Sequence, residues 1–104
     1  FTRVREGSNK ILSYHGAEIP YVFNTHDEWL PTNEDDDQLT EVMMEYWVEF
    51  AKKGTPNSIN NPTWKEFGTE ESYLILDLPL ESSAKLENEF CEIMIDEMLK
   101  RTSR

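Results

Sequence analysis

The sequence predicts an α/β chain that supplies part of a larger sheet. Three observations carry this. "SYLILDL", Ser72 to Leu78, is a near-continuous apolar run of strand length, bounded by polar residues and Pro79. Two long segments repeat their apolar residues with the 3.6 period of an amphipathic helix. The other strand signal is "FTRV", where apolar Phe1 and Val4 flank polar residues, and it reads as a strand entered partway. One strand and a strand fragment leave edges open and backbone donors and acceptors unsatisfied. Partner strands are therefore expected elsewhere, upstream in the same chain or in another.

The first elements are short. Residues 5 to 13, "REGSNKILS", begin as a polar turn in which Gly7 and Asn9 supply flexible backbone, then rise to Ile11 and Leu12. "EIPYVF" places Ile19, Val22 and Phe23 at helical spacing, with Pro20 tolerable in a first turn. A short helix or tight turn, buried on one side, is expected there. "THDEWLPTN" follows as a loop with Trp29 and Leu30 as its hydrophobic anchors.

The clearest helix runs from about Glu34 to Lys53. Leu39, Val42, Met43, Tyr46, Trp47 and Phe50 form its apolar stripe. Thr32 or Asn33 can cap it, and Glu34 to Asp37 place negative charge at the positive end of its dipole. Lys52 and Lys53 suit the opposite end, and Gly54 can supply the left-handed stop. "GTPNSINNPTW" is then a surface loop dense in Gly, Pro and Asn. After the strand at Ser72–Leu78, a last helix is expected over about Ser83 to Arg101. Its inner stripe is Leu86, Phe90, Ile93, Met94, Met98 and Leu99, with Cys91 at the margin.

Composition narrows the function classes. A length of 104 residues suits one domain and is too short for two. Hydrophobic residues make up 38% and aromatic ones 12%, which is a globular composition. The net charge of −11, from 21 acidic and 10 basic side chains, repels phosphate backbones and argues against nucleic acid or anionic membrane as partner. No apolar run reaches the roughly 18 residues of a membrane span.

Residue 1 is Phe, and "FTRV" is neither a signal nor a transit peptide, so the chain is expected to begin inside a longer protein. Cys91 is alone and cannot close a disulfide within these residues; it either pairs with a segment outside them or remains a buried thiol. "NPT" at Asn61 is no glycosylation acceptor, because proline blocks it.

Two histidines are the candidates for acid–base chemistry. His15, in "SYHGAEIPYVF", titrates near neutrality, and Gly16 lets the backbone turn sharply beside it. A single histidine in a short chain is nevertheless more often structural. His26, in "NTHDEW", has neither a buried setting nor a partner pattern in sequence. The run "EDDD", Glu34 to Asp37, lacks the alternating ligands and central glycine of a calcium loop, and helix-start charge explains it. There is no phosphate loop, zinc spacing or G-x-S-x-G elbow. The residues offer a possible base and no nucleophile, and no metal or cofactor is called for.

Five motifs, in order, carry a resemblance. "YHGAEIPYVF" resembles the form His-Gly-x-Glu-Leu/Ile-x-Tyr/Phe-Val-Phe, and "MMEYWVEFAKKGTPN" a helix with Tyr-Trp-x-x-Phe-Ala-x-x-Gly-x-Pro-Asn. "PTWKEF" is similar to Trp-Pro-x-Tyr/Phe, "YLILDL" to the strand that follows it, and "LENEFCEI" to a last helix with Cys-x-Phe-Trp. Together, over about residues 11 to 95, they resemble the C-terminal portion of the type-B carboxylesterase and cholinesterase family of α/β-hydrolases.

The resemblance implies that residues 1–104 are the C-terminal part of a single α/β-hydrolase domain. It implies serine-type hydrolysis of a small carboxylic ester, with no cofactor. His15 then matches the triad histidine; the serine and the acid lie upstream, so the chain alone is expected to be inactive. The non-catalytic alternative is an adhesion protein of the same family that keeps the fold and lacks the serine. Secreted or periplasmic placement is common in the family, and the last helix forms a dimer face in some relatives. Three features depart from the pattern. Ala17 stands where cholinesterases carry a choline-site Tyr, Lys65 replaces the proline after Trp64, and Ile93 and Met94 replace Phe-Trp. Cys91 matches a cysteine that secreted members use in a disulfide.

Overall fold

A computed structural model describes residues 1–7, 12–86 and 88–102. Asn9 and Ile11, expected in the first turn and its apolar rise, lie outside the described residues. Five elements follow in order: α1 (Ile19–Phe23), α2 (Glu34–Lys53), β1 (Ser72–Ile75), β2 (Glu81–Ala84) and α3 (Asn88–Thr102).

Helix α2 is set by local chemistry at both ends. The Asn33 side chain accepts from the Asp36 N–H, while the Asp36 carboxylate accepts from the Asn33 N–H, a reciprocal capping box. At the other end Gly54 takes φ +78° and its N–H returns to the Phe50 carbonyl at 2.8 Å. Lys52 and Lys53 occupy the last turn, and Lys53 pairs with Glu49 one turn back.

The core is the seam between α2 and β1, closed by α1. Tyr21, Leu39, Met43, Tyr46, Leu74 and Leu76 are buried there, with Phe1, Val22, Val42, Trp64, Leu78 and Leu80 packed around them. Of the apolar stripe on α2, Trp47 and Phe50 lie largely exposed near its C-terminus. The stripe turns from core to solvent along the helix, because β1 covers only part of it. In α1 the inward residue is Tyr21; Ile19 and Phe23 face solvent. Trp29 is 75% exposed and anchors nothing, whereas Leu30 is half-buried.

Three expectations about the second half are corrected. β1 is not alone: it pairs antiparallel with β2 in the register Ser72↔Ala84 to Ile75↔Glu81. The last helix therefore begins at Asn88 rather than near Ser83. "ESSA" has no apolar pattern to mark it as a strand; pairing with the open edge of β1 makes it one. β1 itself stops at Ile75, where the chain prepares to turn through a cis Leu78–Pro79 peptide. Past β2, Lys85 adopts φ +60° and its N–H bonds to the Glu71 carbonyl, which closes the hairpin.

The N-terminal residues run beside this hairpin. Thr2 N–H donates to the Leu76 carbonyl at 3.3 Å, and its hydroxyl to Asp77 at 2.9 Å. This is one backbone contact of the kind a neighbouring strand makes, although residues 1–5 form no regular strand. Among the described residues α3 packs against no other element. Its expected inner stripe (Phe90, Ile93, Met94, Met98 and Leu99) is exposed, as is Leu86 before it. Cys91 is likewise an exposed free thiol rather than a buried one.

Candidate functional site

His15 stands on a turn that leads into α1. The Ala17 N–H returns to the Tyr14 carbonyl at 3.0 Å, and the Ile19 N–H to the Gly16 carbonyl at 3.2 Å. Gly16 takes φ +88°, a conformation that an L side chain reaches only under strain. Ala17 is buried under the turn while His15 is exposed. Among the described residues its ring makes no hydrogen bond, so the backbone holds the imidazole outward, open to a partner group.

Beneath the turn lies a polar cluster that sequence patterns did not reveal. Asp36 is 0% exposed, although it belongs to the run assigned only to helix-start charge. Its Oδ1 accepts from Arg3 Nε at 2.8 Å and from the Tyr21 hydroxyl at 2.7 Å. Its Oδ2 accepts from the Asn33 N–H at 3.0 Å. Burial by itself raises a carboxyl pKa; the donors from Arg3, Asn33 and Tyr21 outweigh it and hold Asp36 below the usual carboxylate range. Burial, reinforced by the bond to Asp36, pushes the Tyr21 phenol well up, so it stays a donor.

His26 also differs from its expectation. Its Nδ1 lies 2.7 Å from Arg5 Nη2 and its Nε2 lies 2.7 Å from Thr40 Oγ1. The ring stands edge-on to Tyr21 with centroids 4.8 Å apart, and Arg5 lies over the face of Tyr21 at 4.9 Å. His26 is thus half-buried and fully partnered, a structural histidine. Its partners come from residue 5 and residue 40, a separation that no local pattern encodes.

Among the described residues, clefts open at two places that concern the site. One of about 280 Å³ adjoins the histidine turn and is lined by Arg3, Arg5, Tyr14, Ala17, Tyr21 and Trp29 among others. A larger one of about 780 Å³ lies at the C-terminal end of α2 between Tyr46, Trp47, Phe50 and Trp64. It does not border His15. Its wall is held by Asn57, which accepts from the Trp64 N–H at 2.6 Å and donates to the Trp64 carbonyl at 3.1 Å. Among the described residues no three His, Cys, Asp or Glu side chains converge on a metal position, and no helix is long and apolar enough to cross a membrane.

Comparison with known proteins places these features in a family. The family model described as "Carboxylesterase family" matches residues 3–94. Human cocaine esterase is 41% identical over 66 residues, 62% of this chain and 12% of that protein. The mouse pyrethroid hydrolase Ces2a is 38% identical over 65 residues, 61% of this chain and 12% of that protein. Mouse carboxylesterase 1E is 32% identical over 77 residues, 74% of this chain and 14% of that protein. The chain therefore spans about one-eighth of the length of these relatives. The family implies an α/β-hydrolase fold, with which two-stranded β1–β2 and its flanking helices agree. With its histidine turn, its capped α2 and its hairpin all inside the matched residues, the chain belongs to the carboxylesterase family.

Proposed function

We propose that residues 1–104 form the C-terminal part of a single α/β-hydrolase domain in a serine carboxylic-ester hydrolase, with His15 as the triad base. The observation that carries this reading is the exposed imidazole of His15 on a self-bonded turn, within the residues that the family match covers. Relatives named an esterase and a hydrolase support the ester-cleaving class.

In this reading the serine and the acidic triad member come from the rest of the domain. The His15 imidazole takes the serine proton as the hydroxyl attacks the ester carbonyl, then returns it to the departing alcohol. In the second half it takes a proton from water, which attacks the acyl-serine, and gives it back to the serine. Proton and acyl group both balance, and no cofactor is required. The exposed ring suits the first step, because a base buried against its own turn could not reach a hydroxyl on another element.

In the full-length protein His15→Ala is expected to lower kcat by several orders of magnitude, up to about 10⁶-fold, without loss of fold. Steady-state hydrolysis of a p-nitrophenyl ester, with near-UV circular dichroism as the check on fold, tests this; unchanged turnover overturns it. The 104-residue chain alone is expected to hydrolyse no ester, having no activated serine. The exposed apolar side of α3 suits cover by the rest of the domain or by a second copy, which size-exclusion of the full-length protein distinguishes.

A further inference from the structure

We propose that Asp36 is a positioning residue for His15: one buried carboxylate anchors the chain on both sides of the histidine turn. The proposal rests on the reading of His15 as the triad base. On the upstream side Ser13 Oγ donates to the Arg3 carbonyl at 3.0 Å, and Arg3 Nε donates to Asp36 Oδ1 at 2.8 Å. On the downstream side the Tyr21 hydroxyl donates to the same Oδ1 at 2.7 Å. Ser13 and Tyr21 bracket His15, and the turn between them has its own backbone bonds. The segment that carries the imidazole is thereby tied to Asp36 directly at Tyr21 and, at Ser13, through Arg3.

That carboxylate is itself buried and held. Asp36 sits in the first turn of α2, its Oδ2 fixed by the Asn33 N–H and its backbone N–H held by Asn33 Oδ1 at 3.1 Å. Arg3 gains a second hold through Nη2 on Asn33 Oδ1 at 3.2 Å. Apolar side chains of similar volume would fill this space as stably as a buried ion pair. What they would not supply is direction, since a carboxylate fixes where both the guanidinium and the phenol must point. Direction matters here because His15 forms no ring hydrogen bond among the described residues. Within this chain its place is set by the turn, which must deliver the ring to the triad acid and bring it within about 2.6–3.2 Å of the serine oxygen.

The test uses the full-length esterase with Asp36→Asn, Tyr21→Phe and Ser13→Ala, each measured on protein shown to be folded and well below its Tm. Asp36→Asn is expected to lower kcat by about tenfold or more with KM nearly unchanged, since a shift near 1 Å in a reacting group can cost about a hundredfold. Ser13→Ala, which cuts an exposed tie without touching the core, is expected to lower kcat in the same sense and serves where Asp36→Asn does not fold. The decisive readout is rescue. In the His15→Ala background, added imidazole supplies a base that no turn holds, so the rescued rate is expected to be the same with Asp36 or Asn at position 36.

Equal kcat in folded Asp36→Asn and wild type overturns the proposal. So does a rescued rate that falls as far as kcat did, because Asp36 would then support the site as a whole. Full turnover in His15→Ala alone removes the triad-base reading, and this inference with it, whatever the Asp36 variants do.

Discussion

Arg5 can only donate, and this decides the state of His26. Its Nη2 sits 2.7 Å from Nδ1, so that nitrogen carries the lone pair and the proton lies on Nε2. Nε2 then donates to Thr40 Oγ1, whose hydroxyl donates in turn to the Asp36 carbonyl at 2.7 Å. A second proton on the ring would break the first bond and face a guanidinium. Burial, with the charge of Arg5 behind it, accordingly lowers the His26 pKa from 6.5, against the weaker pull of Asp36 and Asp37. The unfolded chain binds a proton in a range where the folded ring does not, so this stability is complete above the unfolded pKa and is lost as pH falls. We expect the urea midpoint to drop between about pH 7 and 5, and His26→Gln to flatten that slope. Asp36 titrates in a lower window: its lowered pKa adds stability above the ordinary 3.8, lost as pH falls through its folded value. Arg3→Ala leaves Asp36 buried without its cation and is expected to cost about 3–5 kcal/mol in denaturant unfolding. Neither residue's partner could be read in sequence. "THDEW" and "EDDD" look like solvated loop and helix start, and what changes them is Arg3 and Arg5 arriving from the N-terminus.

Helices and strands were legible to the degree that their causes are local. α2 is readable nearly throughout, with only the choice of Thr32 or Asn33 as cap left open, because its stripe, basic end and terminating glycine all lie within one stretch, Asn33 to Gly54. Gly54→Ala tests the stop by itself. No atom lies within 4 Å of an added Cβ, so only the left-handed backbone is penalised, by about 1–2 kcal/mol in thermal or urea unfolding. β2 was not readable, since Glu81 to Ala84 are exposed and become a strand only by pairing. Gly, Pro and Asn mark the stretch after α2 as a loop, but nothing local marks it as an ordered one. Glu45 accepts from Ser58 Oγ at 2.9 Å, Asn60 Nδ2 at 3.2 Å and Asn61 Nδ2 at 2.9 Å, and these bonds hold its carboxyl below the usual range. Tyr46 adds a bond from its hydroxyl to the Pro62 carbonyl. Glu45→Ala is expected to raise amide exchange across residues 58–61 while α2 keeps its protection, measurable by mass spectrometry. Of the candidate site, the histidine and its glycine were visible as a motif; the platform beneath them was not.

As a whole the molecule is extended. Its radius of gyration is 16.8 Å, against about 13 Å for a compact domain of 100 residues. The difference comes from how the core is gathered. α1, α2, the hairpin and the N-terminal residues share one seam, whereas among the described residues α3 packs on none of them. Such a length of exposed apolar helix, Phe90 to Leu99, is a surface that water covers poorly. It also carries the one cysteine in the 104 residues, exposed at position 91. Alkylation at Cys91 thus becomes a clock for the cover of α3. A maleimide should react readily with the exposed thiol of the free chain. In the full-length protein the same peptide should react more slowly by whatever fraction of time the helix spends concealed.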